Sequence, residues 1–412
     1  MAGTLLAINN YYYRRGGAEA IFLDQMDMFE RAGWQAVPFS MQHPNNLPTD
    51  WSSYFVPEIE FGHQGGIGQK IEHAIEVIYS RKAKTSLTRL IDAARPDVAH
   101  AHNVYHHISP SIFPLLKQKG IPTVMTVHDL KLACPSYKML APDGLCERCK
   151  GGRIYNVLLH RCMKESVALS GLVMVETAVH RALGLYRNYI DKLVVPSRFY
   201  EQKLVEWGWP REKLVHIPNF VEQTIDDNPV TAEEGDYFLF AGRLAPEKGV
   251  ATLIEAAARA KLRLRIAGTG TDDAALRALA EREGADVEFL GYLTGSQLHQ
   301  MIAGAKALVL PSEWYENAPV SLLEAYSLGR PVIGTNIGGI PELIQHGETG
   351  LIAAPGAPDD LARALTAMDQ LSRNQRREMG QRGRYWVQKE FSQKAFLERT
   401  MKLYRELGVK VA

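Results

Sequence analysis

Short runs of aliphatic and β-branched residues alternate along most of the chain with longer amphipathic stretches, the pattern of a parallel α/β protein. In the first half, this pattern predicts strands over 4–9, 97–102, 122–128 and 192–197. It also predicts a helix over 18–33 that stops at Gly33. A second series begins near residue 236. Strands are predicted over 237–242, 262–268, 287–292, 307–312 and 331–335, separated by helices over 249–261, 271–284, 296–305 and 319–329. Between the two series lies the polar stretch VEQTIDDNPVTAEEGD (221–236), with linker composition. Two α/β domains with the ligand in a cleft between them are the expectation. The segment 376–407 reads as strongly helical and is placed to cross back to the first domain.

Composition narrows the classes. The 412 residues carry 47 Lys and Arg against 46 Asp and Glu, so no strong field points to nucleic acid. The longest apolar run, 167–175, is well short of the ~18 residues of a membrane span. The N-terminus lacks the order of charge and apolar run of a signal peptide. A cytoplasmic protein is expected, in which four cysteines are thiols or metal ligands rather than disulfides.

The chemistry concentrates in loops that follow predicted strands. In EWYENAPVSLLEA (313–325), Glu316 sits in a loop after a strand. Pro319 fits the first turn of a helix, where its missing N–H costs nothing, and the amides of 320–322 are left to face a phosphate or hydroxyl. Glu324 lies about a turn and a half further on. FAGRLAPEKGV places Arg243 and Lys248 between a strand and a helix, the position for holding a diphosphate. NIGGIPELIQHGETGLIAAPG adds Gly338 and Gly339 before Pro341-Glu342, and RRGGAEAIF puts Gly16 and Gly17 between the first strand and helix. Asp272–Asp273, Asp226–Asp227 and Asp359–Asp360 read as helix-start or linker acids, and no D-x-D motif for a divalent cation occurs.

In these features the chain resembles the retaining family-4 glycosyltransferases of the GT-B fold. The resemblance spans nearly the whole chain, through GGAE (16–19), VHD (127–129), GRLAPEKG (242–249), the E-x7-E motif ENAPVSLLE (316–324) and GGIPELIQHGETG (338–350). It implies two Rossmann-like domains, 1–218 on the acceptor side and 219–390 on the nucleotide-sugar side, with 391–412 returning to the first. It implies that Arg243 and Lys248 bind the donor diphosphate and Glu324 the ribose. Glu316, with the amides of Asn317, Ala318 and Val320 around Pro319, would hold the transferred sugar. Gly16 and Gly17 would line the phosphate side, and His128 would approach the sugar from the first domain. The expected reaction is metal-independent transfer with retention, from a UDP- or GDP-sugar to a sugar or lipid-linked acceptor, with no required cofactor. Polysaccharide or glycan assembly in bacteria is the expected setting.

Three further features carry expectations. The stretch NNYYYRR gives Tyr13, Arg14 and Arg15 as acceptor contacts, joined by His102 and Asn103 from HAHNVYHH. Cys134, Cys146, Cys149 and Cys162, spaced C-x11-C-x2-C-x12-C within an insertion over 134–162, suit a structural zinc site better than disulfides or an iron–sulfur cluster. Residues 166–192, apolar then basic, read as a core helix, with peripheral contact to anionic lipid headgroups as the sharper alternative. Competing readings are a nicotinamide-dependent oxidoreductase, from the partial glycine motif AGTG (267–270), a non-catalytic sugar-nucleotide-binding protein, and a hydrolase or phosphorylase on the same fold.

Overall fold

The structure is a computed structural model, and it describes residues 3–58, 67–221 and 232–410. Most of the expected linker, with Asp226 and Asp227, lies outside the described residues. The chain divides into two compact units, Met1–Ile217 with Leu397–Ala412, and Pro218–Phe396.

The first unit is built on six parallel strands: β1 (Thr4–Ile8), β2 (Gln35–Phe39), β3 (Val98–Ala101), β4 (Thr123–Thr126), β7 (Lys192–Val195) and β8 (Leu214–His216), in the order β2-β1-β3-β4-β7-β8. A small antiparallel hairpin, β5 (Leu140–Ala141) with β6 (Gly144–Leu145), lies in the cysteine-bearing segment. Leu5, Leu6 and Ile8 on β1 are fully buried, as expected of a parallel strand covered on both faces. The C-terminal helix Gln393–Glu406 seats Tyr404 here without exposure, its ring against Phe29 and Trp34. The helicity expected over 376–407 divides into Arg373–Glu390 and Gln393–Glu406.

The second unit repeats the plan. Its strands are β9 (Tyr237–Ala241), β10 (Arg263–Ala267), β11 (Val287–Gly291), β12 (Leu308–Leu310), β13 (Val332–Thr335) and β14 (Gly350–Ala353), in the order β11-β10-β9-β12-β13-β14. Alternate residues feed two cores. Leu239, Leu308 and Leu310 join one with Leu322, Tyr326 and Ile340. Phe238, Phe240, Val309 and Ile333 join the other with Leu253, Ile254 and Leu361. This is the period-two pattern of a sheet covered by helices on both sides.

Each sheet reverses its strand order once, between β1 and β3 and between β9 and β12. In open α/β sheets the crevice at the carboxyl ends of the strands at such a point is where ligands bind. The loop after β1 carries Gly16 and Gly17, and that after β3 carries His102 and Asn103; the loops after β9 and β12 carry Arg243, Lys248 and Glu316. Among the described residues no helix is long and apolar enough to cross a membrane.

Candidate active site

In the second unit, two loops meet at the switch point. Lys248 ends the short turn Pro246–Lys248 after β9, and Gly249 then takes φ +66° to start helix Val250–Ala260. A Cβ on Gly249 would stand 2.0 Å from the Pro311 carbonyl oxygen, so only glycine lets the β9 loop lie on the end of β12. Lys248 thereby reaches the second loop: its Nζ donates to Glu316 Oε1 at 2.6 Å, and Ser312 Oγ donates to the same oxygen at 2.7 Å. A third segment closes on Glu316 from behind. Gly339 N–H donates to the Glu316 carbonyl at 2.8 Å, and a Cβ on Gly338 would lie 2.4 Å from that oxygen. Three of the sequence motifs therefore converge on one buried residue, Glu316.

Burial alone would raise the Glu316 carboxyl, but Lys248 above all, with the Ser312 hydroxyl, outweighs it and holds the group below its ordinary value. Glu316 is thus an anion at neutral pH. Arg243 differs: its side chain is 55% exposed, with Nη2 2.5 Å from the buried Glu247 Oε1. Glu247 fixes the guanidinium at the surface, where its remaining donors are available to a phosphate.

Helix Val320–Ser327 begins one residue later than expected, with Pro319 at the cap position rather than inside the first turn. The Leu322 amide is bonded to Pro319 O at 3.3 Å, which leaves the first-turn amides of Val320 and Ser321 without a helical acceptor. Glu324 is half-buried on this helix. Asn219 was not among the sequence candidates. It is buried, and its Nδ2 donates to Ala318 O at 2.9 Å, pinning the loop between Glu316 and Pro319. Ser312 and Glu247 were also missed, and Thr335 Oγ1 supports Ser312 through its carbonyl at 2.6 Å.

In the first unit, Gly16 is extended and caps helix Gly17–Arg31, and nothing lies within 4 Å of a Cβ placed on Gly17. Packing within the protein therefore does not require glycine at 17. The tyrosines of NNYYYRR form an aromatic group in which Tyr13 stacks on His43 at 4.6 Å and Arg15 covers Tyr11 at 4.3 Å. Arg14 pairs with Asp24. Asn103 donates its amide to Asn9 Oδ1 at 3.0 Å, and its own side-chain oxygen is buried without a hydrogen bond.

His100, His102 and His128 form a stacked row, with no group of three or more His, Cys, Asp or Glu arranged to hold a metal among the described residues. His100 bonds Thr126 Oγ1 and the Tyr404 hydroxyl, each at 2.7 Å. His102 Nδ1 lies 2.8 Å from His128 Nε2, so one ring must donate and the other accept. Burial pushes His100 down to about 3 and His128 to about 4, and takes His102 well below its ordinary value. All three are neutral at pH 7, so His128 can offer a sugar a neutral hydrogen bond and no positive charge.

These shifts make a prediction. In the unfolded chain each histidine takes up a proton near pH 6.5, but in the fold each resists it. Stability therefore falls as pH drops below 6.5, by up to about 1.4 kcal/mol per pH unit for each group. Asp129, raised to about 6 by burial, acts the other way, since its folded form takes up a proton between pH 6 and 3.8. Three histidines outweigh one aspartate. The melting temperature should fall steadily from pH 7 to 5, and less steeply in His128→Gln; equal slopes would refute the assignment.

Two expectations need correction. The partial motif AGTG owes its glycines to packing, since Cβ atoms on Gly268 and Gly270 would stand 1.8 and 1.9 Å from the carbonyl oxygens of Gly242 and Leu244. They let the β10 loop lie on the GRLAPEKG loop and form no dinucleotide cradle. Helix Val167–Ala182, expected as a core helix, buries a largely polar face of Ser170, Val173, Glu176 and His180 and exposes Val167 and Val175. The four cysteines line one small cavity with Ser136 and His160, but they do not stand in a metal-holding arrangement.

Comparison with known proteins gives the family and the fold. Residues 15–224 match the model of Glycosyltransferase Family 4 and residues 221–386 that of glycosyl transferases group 1. Solved structures give the fold: sucrose-phosphate synthase from Thermosynechococcus elongatus superposes with a TM-score of 0.74 at 20% identity, covering 98% of this chain and 99% of that one. The Anabaena protein HepE, crystallised with UDP and glucose, gives 0.67 at 15% identity, covering 98% and 100%. Two doubly wound units of this kind define the GT-B fold of glycosyltransferases. The chain belongs to glycosyltransferase family 4. Among curated relatives, it is 30% identical over 217 residues to a putative colanic acid biosynthesis glycosyltransferase of Escherichia coli K12, covering 49% of this chain and 53% of that protein. It is 34% identical over 311 residues to glycogen synthase of Mycobacterium tuberculosis, covering 70% and 64%. The chain thus spans about half the length of the first of these relatives.

Proposed function

We propose that the protein transfers a sugar, with retention and without a divalent cation, from a UDP- or GDP-sugar to a hydroxyl of a sugar or lipid-linked acceptor in polysaccharide or glycan assembly. The observation that carries this reading is the meeting of Lys248 and Glu316 at the switch point of the second sheet, 2.6 Å apart. Departure of a nucleoside diphosphate breaks the bond from the sugar C1 to the β-phosphate oxygen, and the electron pair stays on the phosphate. Arg243, Lys248 and the amides of Val320 and Ser321 can stabilise that charge where it develops, the part a metal ion plays elsewhere. The acceptor oxygen then bonds to C1 on the face the phosphate leaves, and its proton passes to the departing phosphate oxygen. Glu316 keeps Lys248 in place and positions the sugar hydroxyls, and Glu324 holds the ribose. Gly16, Gly17 and His128 serve the donor from the first unit, while Tyr13, Arg14, Arg15, His102 and Asn103 serve the acceptor. A panel of UDP-, GDP- and ADP-sugars, with EDTA present and product anomers read by NMR, tests this. Inversion of the anomer, or dependence on added Mg²⁺ or Mn²⁺, would refute it.

We also propose zinc at Cys134, Cys146, Cys149 and Cys162. Spacing and the shared cavity support it. Burial first, then the neighbouring thiols, push the Cys149 thiol up to about 12 and raise that of Cys162 as well. A metal would reverse this by binding them as thiolates and drawing them together. Purified protein should contain close to one zinc per chain, and Cys146→Ser should lose it and melt at lower temperature. Metal-free wild type would overturn the assignment.

A further inference from the structure

Beside the cysteine segment the first unit holds a cavity of about 380 Å³ that no step of the proposed transfer uses. Its walls come from helix Val167–Ala182 and the turn after it, from Gly151 and Gly152, and from Trp207 and Trp209. The lining contains Lys131, Arg181 and Arg187 and not one carboxylate. Lys131 is committed elsewhere: its Nζ donates to buried Glu176 Oε2 at 2.8 Å and to Pro135 O at 2.9 Å. The unspent charge is that of the two arginines. Arg181 lies near the Cys149 thiol and bonds the Ala133 carbonyl at 3.5 Å, and neither arginine forms an ion pair with a carboxylate among the described residues. The carboxyl end of helix Val167–Ala182 offsets about half a charge, which leaves the cavity net positive.

The aromatic walls are fixed in place. The Tyr186 ring cannot swing away, being packed against His180 at 5.8 Å and Phe113 at 5.7 Å. Trp209 is held by its own bond to Leu132 O at 3.3 Å. Cations and aromatic walls around a space of this size suit a ligand with an anionic group and a polar ring.

We propose that this cavity binds a phosphorylated saccharide, its phosphate on Arg181 and Arg187 and its ring between Tyr186 and the tryptophans, as a part of the acceptor distant from the hydroxyl that reacts. The saccharide rests on the transferase reading, while the phosphate rests on the cavity alone.

The test titrates glucose 1-phosphate into the full chain, by calorimetry and by the fluorescence of the lining tryptophans, with UDP present to fill the donor site. Binding is expected, at least about tenfold tighter than for unphosphorylated glucose. It should weaken at least about tenfold in R181A/R187A, roughly the loss of one to two charge-assisted bonds. Both arginines are exposed, so the melting temperature and UDP affinity of R181A/R187A should match wild type. Affinity unchanged in the double variant, or equal for glucose and its phosphate, would overturn the proposal. So would binding through these arginines to phosphatidylglycerol vesicles but not to glucose 1-phosphate, which would assign the cavity to a lipid headgroup. Failure of UDP to bind wild type would strike the transferase reading and leave the effect of R181A/R187A on glucose 1-phosphate readable.

Discussion

Lys248→Ala is expected to destabilise the second unit by about 3–5 kcal/mol and to abolish turnover. The cost is that of stranding a buried charge. Glu316 is 7% exposed, and among the described residues Lys248 is the one cation bonded to its carboxylate. Without that cation, burial raises the Glu316 carboxyl, and the fold must either hold an unpaired anion or take up a proton. Removing both partners should cost less than the sum of the single changes, by at least about 1 kcal/mol in a double-mutant cycle of K248A and E316A. Additive costs in denaturant unfolding would mean that the contact carries no coupling. The same substitution should weaken nucleotide binding, since the ammonium that pairs with Glu316 is the one proposed to meet the diphosphate.

Glu316→Gln separates binding from chemistry. Glutamine preserves the shape and can still accept from Ser312 Oγ, which lies 2.7 Å from Oε1. It removes the negative charge and frees Lys248 toward a phosphate. Nucleotide affinity should be kept within about threefold, whereas turnover should fall about 100- to 1,000-fold, the range for losing one preorganised group at a reacting centre. A variant with near-normal turnover would remove Glu316 from the machinery. Equal losses of affinity and turnover would make its role structural.

Much of this arrangement was legible in the sequence. The strands next to both switch points, β1, β3, β9 and β12, are short apolar runs followed at once by glycine or polar residues, so the loops that carry chemistry could be placed. Within the two six-stranded sheets three strands escaped, and they are all sheet edges: β2, β8 and β14; the short hairpin β5–β6 escaped as well. An edge strand has one neighbour and tolerates irregular sequence; β2 even contains Pro38, whose missing N–H is harmless only at an edge. The residues that hold the site in place were missed for a different reason. Asn219 and Ser312 act on the Glu316 loop from 99 and 4 positions away, and nothing local distinguishes them from ordinary polar residues beside a strand or linker. Helix Val167–Ala182 misled because its apolar composition suggests a core face. In fact its buried face serves the Lys131–Glu176 pair and the His180 bond to Ile78 O at 2.7 Å.

In the proposed reaction the Lys248 ammonium, paired with Glu316 at 2.6 Å, meets the donor diphosphate. Calorimetric titration of UDP and GDP into wild type, Lys248→Ala and Glu316→Gln, with EDTA present, tests this most directly. Wild type and Glu316→Gln should bind one nucleotide per chain with similar affinity. Lys248→Ala should bind about 30-fold more weakly, as loss of a charge-assisted contact worth about 2 kcal/mol requires. Equal affinity in all three proteins, or binding only when a divalent cation is restored, would contradict it.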